Sequence, residues 1–325
     1  MNKIIGLGNA LVDVLAPLKN DEILKELELP KGSMTWVSED KLLRIRELFK
    51  HIPTSLVTGG SAGNTIRALA CLGADAGFIG KVGKDKYGDF YRQSLSDRGV
   101  DVHLIVSPDL PSGVANTFIS PDGERTFGDY LGAAASLCAE DLSADMFKGY
   151  AYLLVEGYLI QDHAMILRAI QLAKEAGLKI CLDLASYNIV LEDRDFFRQL
   201  LEQHTDIVFA NEEEAKAYTG EEAEAAVQAL GSICHTAVVK VGKQGSIIRR
   251  GSETVQVPAT PVEKVVDTTG AGDYFAAGFL YGLTNGYTLE QSGKIGSLLA
   301  GEVIQVIGTE LPAERWRHIR AVCME

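Results

Sequence analysis

The chain has 325 residues, 46% hydrophobic and 23% charged, which suits one large α/β domain or two smaller ones of an ordinary globular protein. A formal net charge of −13 argues against a partner recognised through nucleic-acid phosphates. The apolar start, Ile4–Leu7, meets Asp13 too soon to span a bilayer and is followed by no signal-peptide cleavage pattern, so no membrane role and a cytoplasmic location are expected. Five cysteines without a Cys-x-x-Cys pair read as free thiols, and six histidines at no ligand spacing give no transition-metal site.

Along the chain, apolar runs of strand length alternate with amphipathic runs of helix length. The expected strands are Ile4–Leu7, Gly77–Ile79, Tyr152–Val155, Lys179–Leu182, Ile207–Phe209 and Ala237–Val241. Between them the spacing predicts helices over Ala62–Leu72, Phe90–Arg98, Ala164–Ala176, Arg194–His204, Asn211–Thr219 and Glu222–Leu230. Strand–helix alternation implies a parallel sheet covered on both faces, and the lack of period-two alternation within the strands agrees with it. Two segments break the rhythm. Residues 14–37 mix Pro17, Pro30 and Gly32 with short apolar runs. Residues 100–131 read as strands alone: Val102–Val106, Val114–Ser120 and Thr126–Tyr130, the last two joined by Pro121-Asp122-Gly123-Glu124, a hairpin signal. Both segments are expected to build a small β-sheet outside the main one, in the position of a lid.

Two glycine-rich stretches carry the chemistry. In Thr58-Gly59-Gly60-Ser61-Ala62-Gly63-Asn64 the paired glycines let a ligand lie against backbone, and Asn64 offers both a donor and an acceptor. Asp267-Thr268-Thr269-Gly270-Ala271-Gly272-Asp273 runs into the apolar Tyr274–Leu280, which reads as a helix. Small residues at a helix start bring backbone N–H groups close to an anion, and Asp273 can take the proton of an attacking hydroxyl. An anion cradle beside a carboxylate base is the minimum for phosphoryl transfer to an alcohol. Each stretch alone also has an ordinary reading, as a glycine-rich turn before a helix, with an Asn near the cap in the first and an acid that favours the helix dipole in the second.

Together and in this order, the two stretches resemble the ribokinase-like (PfkB-type) carbohydrate and nucleoside kinases, over most of the chain from Gly6 to about Pro312. The resemblance implies a single domain over residues 1–325, with a three-layer α/β/α, doubly wound, mostly parallel sheet and a small β-sheet lid. It implies ATP and Mg²⁺ as cofactors, leaves K⁺ open, and allows a monomer or a homodimer. By resemblance Asp273 is the catalytic base and Gly270, Ala271 and Gly272 the anion hole. Asp13, Gly59, Gly60 and Asn64 bind the acceptor, and the glycine pair also hinges the lid. Asn211 and Glu214, from Asn211-Glu212-Glu213-Glu214, organise Mg²⁺ and its waters, while Thr268, Gly242 and Gly245 border the nucleotide. Lys240 stands where many of the family's sugar kinases have a small hydroxyl residue, and Ser297 where relatives often carry another polar residue near the adenine. Both positions belong to the nucleotide side.

The acceptor stays open between a nucleoside and a free sugar. The opening Gly8-Asn9-Ala10-Leu11-Val12-Asp13 and the stretch Asp122–Ala134 resemble the adenosine kinase branch. Trp36 and Phe118 are lid aromatics that either stack on a base or pack the lid's own core. Glu156, at the end of a central strand, is expected to face the cleft and hold sugar hydroxyls, as ribose- or fructose-type kinases do. The reading leans to an adenosine-like nucleoside. A third alternative, a sensor that has kept the fold without turnover, is opposed by the intact Asp273 and Gly270–Gly272.

Overall fold

All six apolar runs read as strands lie in one sheet of the computed structural model, which describes residues 2–323. In chain order the strands are β1 (Ile4–Leu7), β2 (Leu11–Pro17), β3 (Met34–Trp36), β4 (Ser55–Thr58), β5 (Ala76–Gly83), β6 (Asp101–Ser107), β7 (Gly113–Ile119), β8 (Arg125–Tyr130), β9 (Tyr152–Glu156), β10 (Lys179–Asp183), β11 (Ile207–Asn211), β12 (Thr236–Lys240), β13 (Ser246–Arg250) and β14 (Glu253–Val257). Nine make the main sheet, ordered β14-β13-β12-β11-β10-β9-β1-β5-β6, and five make a second sheet, ordered β3-β8-β7-β2-β4. From β12 through β6 the main sheet is parallel, and β13 and β14 extend it antiparallel.

Side chains along each central strand divide between two cores. In β9, Tyr152 and Leu154 join one apolar layer and Leu153 and Val155 the other. The helices Ser61–Leu72, Ala271–Thr284 and Leu289–Val303 supply the first layer, and His163–Glu175, Arg194–Gln203 and Ala223–Ile233 the second. Burial on both faces explains why the runs are continuously apolar. Parallel pairing places the carboxyl ends of β12 through β6 at one edge, where doubly wound sheets bind ligands.

The second sheet is the expected lid, with different boundaries. Val102–Val106 belongs to β6, which pairs with β5 from Gly77↔Asp101 to Gly83↔Ser107 and closes the main sheet instead. A parallel neighbour needs a crossover, and the helix Lys86–Ser96 supplies one. The lid gains β4, which pairs antiparallel with β2. The β7–β8 hairpin forms as expected, with Gly123 at φ 88° and the Glu124 carbonyl accepting from the Ser120 N–H at 2.8 Å. One lid face is covered within the chain by the helix Glu39–Phe49. Its Leu42 and Ile45 are buried, and the Phe49 and Phe118 rings lie 5.3 Å apart. Phe118 therefore packs the lid's own core, away from any ligand.

Candidate active site

Polar residues at the carboxyl ends of the central strands converge on a cavity of about 1040 Å³. Register brings them there: Asn211 on β11 pairs with Lys240 on β12, and Asp183 ends the adjoining strand β10. The cavity wall includes Asp183, Glu214, Lys240, Gly242, Gly245, Thr268 and Gly270–Asp273, with Thr260, Val262, Ser297 and Ile304 on its apolar side.

The turn at Gly270 starts the helix Ala271–Thr284, with Gly270 at φ 75°, where a side chain would be strained and would strike Thr309. The first turn carries the backbone N–H groups of Gly272 and Asp273, which have no i−4 partner within the helix, to the cavity wall. Asp273 is held from both sides. Its Oδ1 accepts from the Ser61 hydroxyl at 2.7 Å and its Oδ2 from the Asn64 amide at 2.9 Å, while its carbonyl accepts from Thr65. Burial pushes its carboxyl up to about 6, although Ser61 and Asn64 pull it down. The two glycine-rich stretches thus meet at one carboxylate.

Asn64 was expected at the acceptor and instead joins this support. Its Oδ1 accepts from the Thr309 hydroxyl at 3.1 Å and from Arg67, whose buried guanidinium also donates to Thr58 and Glu310. Gly59 and Gly60 form the turn that precedes the helix Ser61–Leu72. A Cβ at 59 would collide with the Asp13 carboxylate, and Gly60, at φ 80°, abuts the Asn9 carbonyl. Asp13 is half-buried against this turn. Burial pushes its carboxyl up to about 7, with Arg67 pulling down and Asp273 pushing up.

Glu156 departs from its expected role. It is 1% exposed, and protein donors engage both carboxylate oxygens: Oε1 accepts from the Asn9 N–H and amide, each at 2.8 Å, and Oε2 from the Ala62 N–H at 2.9 Å. It ties the end of β1 to the helix Ser61–Leu72. The helix start, with its unpaired N–H groups, draws the carboxylate inward, where burial closes it off from a hydroxyl in the cavity.

Asn211 and Glu214 form a capping box on the helix Glu212–Thr219. Glu214 accepts from the Asn211 N–H and amide, each at 2.7 Å, and Asn211 accepts from the Glu214 N–H at 2.8 Å. Burial pushes Glu214 up, and Lys240 pulls it down. Among the described residues no three acidic, His or Cys side chains converge as a metal site. Mg²⁺ keeps most of its waters and binds through substrate phosphates plus one or two carboxylates. Glu214 and Asp183, both on the cavity wall, are the residues that fit this part.

Lys240 lies inside the site. Its Nζ is 3.4 Å from Asp183 Oδ2, and a Cβ on Gly272 would sit 2.9 Å from it. Burial opposes its charge, but Asp183, Glu214 and Asp273 outweigh it and hold the ammonium charged. Ser297 also lines the cavity, and its hydroxyl bridges the Thr260 N–H and the Pro258 carbonyl. The Gly242–Gln244 turn is both things weighed for it: it links β12 to β13 as a hairpin, and it walls the cavity.

Sequence reasoning missed two residues. Asp183 ends β10 one position past the apolar run, so only its place at a strand's carboxyl end could have marked it. Arg125, on lid strand β8, pairs with Asp267 of the glycine turn at 2.8 Å and fastens the lid to the anion cradle. Arg125→Ala is expected to speed amide exchange in β8 roughly tenfold, read by mass spectrometry, because a part-buried charged bond holds that strand down. Unchanged exchange would show that the bridge does not hold the lid.

The model of the pfkB family carbohydrate kinases matches residues 48–316. The crystal structure of adenosine kinase from Sinorhizobium meliloti superimposes with a TM-score of 0.85, at 35% identity, covering 98% of this chain and 99% of that one. Adenosine kinase of Saccharomyces cerevisiae is 29% identical over 96% of this chain and 97% of its own length. The 5-dehydro-2-deoxygluconokinase of Bacillus subtilis is 31% identical over 77% and 81%. Fold and cavity therefore define an ATP-dependent kinase that phosphorylates an alcohol. The chain belongs to the pfkB family, with a ribokinase-like fold and similarity to its adenosine kinase branch. Among the described residues, no helix is long and apolar enough to cross a membrane.

Proposed function

We propose that the protein transfers the γ-phosphate of ATP to the primary hydroxyl of an adenosine-like nucleoside, with Asp273 as general base and Gly270–Gly272 as anion hole. The observation that carries this reading is the placement of Asp273, fixed by Ser61 and Asn64 in the first turn of the helix that Gly270 opens. Both carboxylate oxygens are oriented, so the base needs little rearrangement to meet a hydroxyl. Asp13, next to Gly59, takes the acceptor's other hydroxyls. The N–H groups of the helix start and the Lys240 ammonium oppose the charge that develops on the transferring phosphoryl group. When bound, Mg²⁺ bridges phosphate oxygens and offsets their charge. Closure of the lid, fastened by Arg125, keeps water from taking the acceptor's place.

The free-sugar reading rested on Glu156, and its carboxylate is committed to Asn9 and Ala62. What still supports a sugar is the similarity to the 5-dehydro-2-deoxygluconokinase relative. A coupled ADP-release assay with Mg²⁺-ATP decides between them, using adenosine, inosine, guanosine, ribose, fructose and fructose phosphates. Turnover is expected with a nucleoside. Turnover with sugars alone would refute the nucleoside assignment.

A further inference from the structure

Lid strands β3, β8, β7 and β2 place one row of residues on the face opposite the helix Glu39–Phe49. Trp36 pairs with Asp129, Asp129 with Ala115, and Ala115 with Asp13. Residues in register share a face, so Trp36 and Asp129 look the same way as Asp13, toward the turn at Gly59. The other face is occupied: Phe118 and Gly128, of opposite parity, meet Phe49 and Ile45.

Asp129 is anomalous on this face. Its Oδ1 is sealed from solvent and has no hydrogen-bond partner. Burial and the neighbouring Asp13 push its carboxyl up to about 7. A buried acceptor left unpaired costs stability, and such groups in native proteins ask for an explanation. Trp36, beside it on the edge strand, is 55% exposed, unusual for an indole that could have packed inward.

We propose that Asp129 is an acceptor-specificity residue, its carboxylate taking a hydrogen bond from an N–H on the base of a purine nucleoside while Trp36 covers the ring. The inference rests on the nucleoside reading above and names the chemistry that reading leaves open. Three observations carry it. Strands lie about 4.8 Å apart, so the row spans roughly 10 Å from Asp13 to Asp129 and further to Trp36, a length that a sugar with a fused ring system attached fills better than a lone sugar. A carboxylate on a base edge recognises an N–H donor. An exposed indole at the end of the row suits a flat aromatic partner.

The test compares purine riboside, whose base has no N–H, with adenosine, which carries an exocyclic amine, and inosine, which carries a ring N–H. Binding is read without ATP from tryptophan fluorescence, the chain's other tryptophan, Trp316, being buried against Tyr274. Turnover is read by ADP release. The better of adenosine and inosine is expected to exceed purine riboside by about 10–100-fold in affinity and in kcat/KM, the worth of one hydrogen bond to a charged group. Asp129→Ala should bring that ratio to within about threefold, while Asp129→Asn, which keeps an uncharged acceptor, should leave it between the two. A ratio that survives Asp129→Ala overturns the proposal, as does wild-type protein that binds purine riboside equally well. Trp36→Ala, but not Trp36→Phe, should raise the KM of all three nucleosides together, read by ADP release because both variants lack the reporting indole. Absence of ADP release with every acceptor would count against the kinase reading alone, since the fluorescence comparison still reads the base contact.

Discussion

Asp273→Asn lowers kcat by about 10²–10⁴-fold, the usual range for loss of a general base, with the fold intact. The asparagine is isosteric and can still accept from Ser61, but its amide then faces the Asn64 amide, donor against donor, so urea unfolding run beside the kinetics separates lost proton transfer from a loosened turn. Single-turnover quench with Mg²⁺-ATP and acceptor checks it, and near-normal turnover would remove Asp273 from the role of base. The wild-type pH profile is the companion result. The base works ionised and its carboxyl sits at about 6, so kcat/KM rises with pH through about 6 and levels off above it. Lys240 is one of the charges that pull that value down. Lys240→Met therefore moves the acid limb to higher pH and also lowers the plateau, because the ammonium lies against the anion cradle. A plateau loss without movement of the limb would place Lys240 on the phosphates only.

The chemistry was legible because it is written in contiguous residues. Asp267–Asp273 and Thr58–Asn64 need glycine at set positions for close approach, and no surrounding structure is required to see that. The parallel sheet was legible for a similar reason, since strands buried on both faces stay apolar throughout. Yet each apolar run stopped short of the functional residue. Glu156, Asp183 and Asn211 all extend their strands past the last hydrophobic residue. Backbone pairing continues through them, and periodicity cannot report a pairing that polar side chains do not interrupt. The direction in which such a residue points is set by neighbours far away in sequence. Glu156 turns to Asn9 and Ala62, 147 and 94 residues distant. Asn64 turns to Asp273, 209 residues distant. The row of Trp36, Asp129 and Asp13 exists only through the register of four strands. The edge strand β6 was assigned to the lid because one β-run looks like another until pairing decides which sheet receives it.

Glu156→Gln is the second large expected effect, and it falls on stability. The carboxylate satisfies three donors, two on Asn9 and one on Ala62, in a site closed to water. Glutamine of the same shape can keep its oxygen toward Asn9, but its amide then faces the Ala62 N–H, donor against donor. One buried donor left unpaired costs about 1–3 kcal/mol. Relief from burying a charge offsets part of that, because burial already pushes this carboxyl up to about 7. Glu156→Ala is worse. It orphans all three donors and opens a void beside Gly8, so a loss on the order of 3–6 kcal/mol is expected, a large share of a typical domain's 5–15. Urea unfolding measures both. The kinetic side distinguishes a framework residue from a ligand contact. In Glu156→Gln below its unfolding midpoint, the acceptor KM should move by less than about threefold, because an interaction never made to the substrate cannot be lost from it. A KM raised tenfold or more with stability unchanged would return Glu156 to the acceptor and revive the free-sugar reading. The expected reverse, lost stability with KM held, leaves recognition of the acceptor to Asp13 and to the lid face above it.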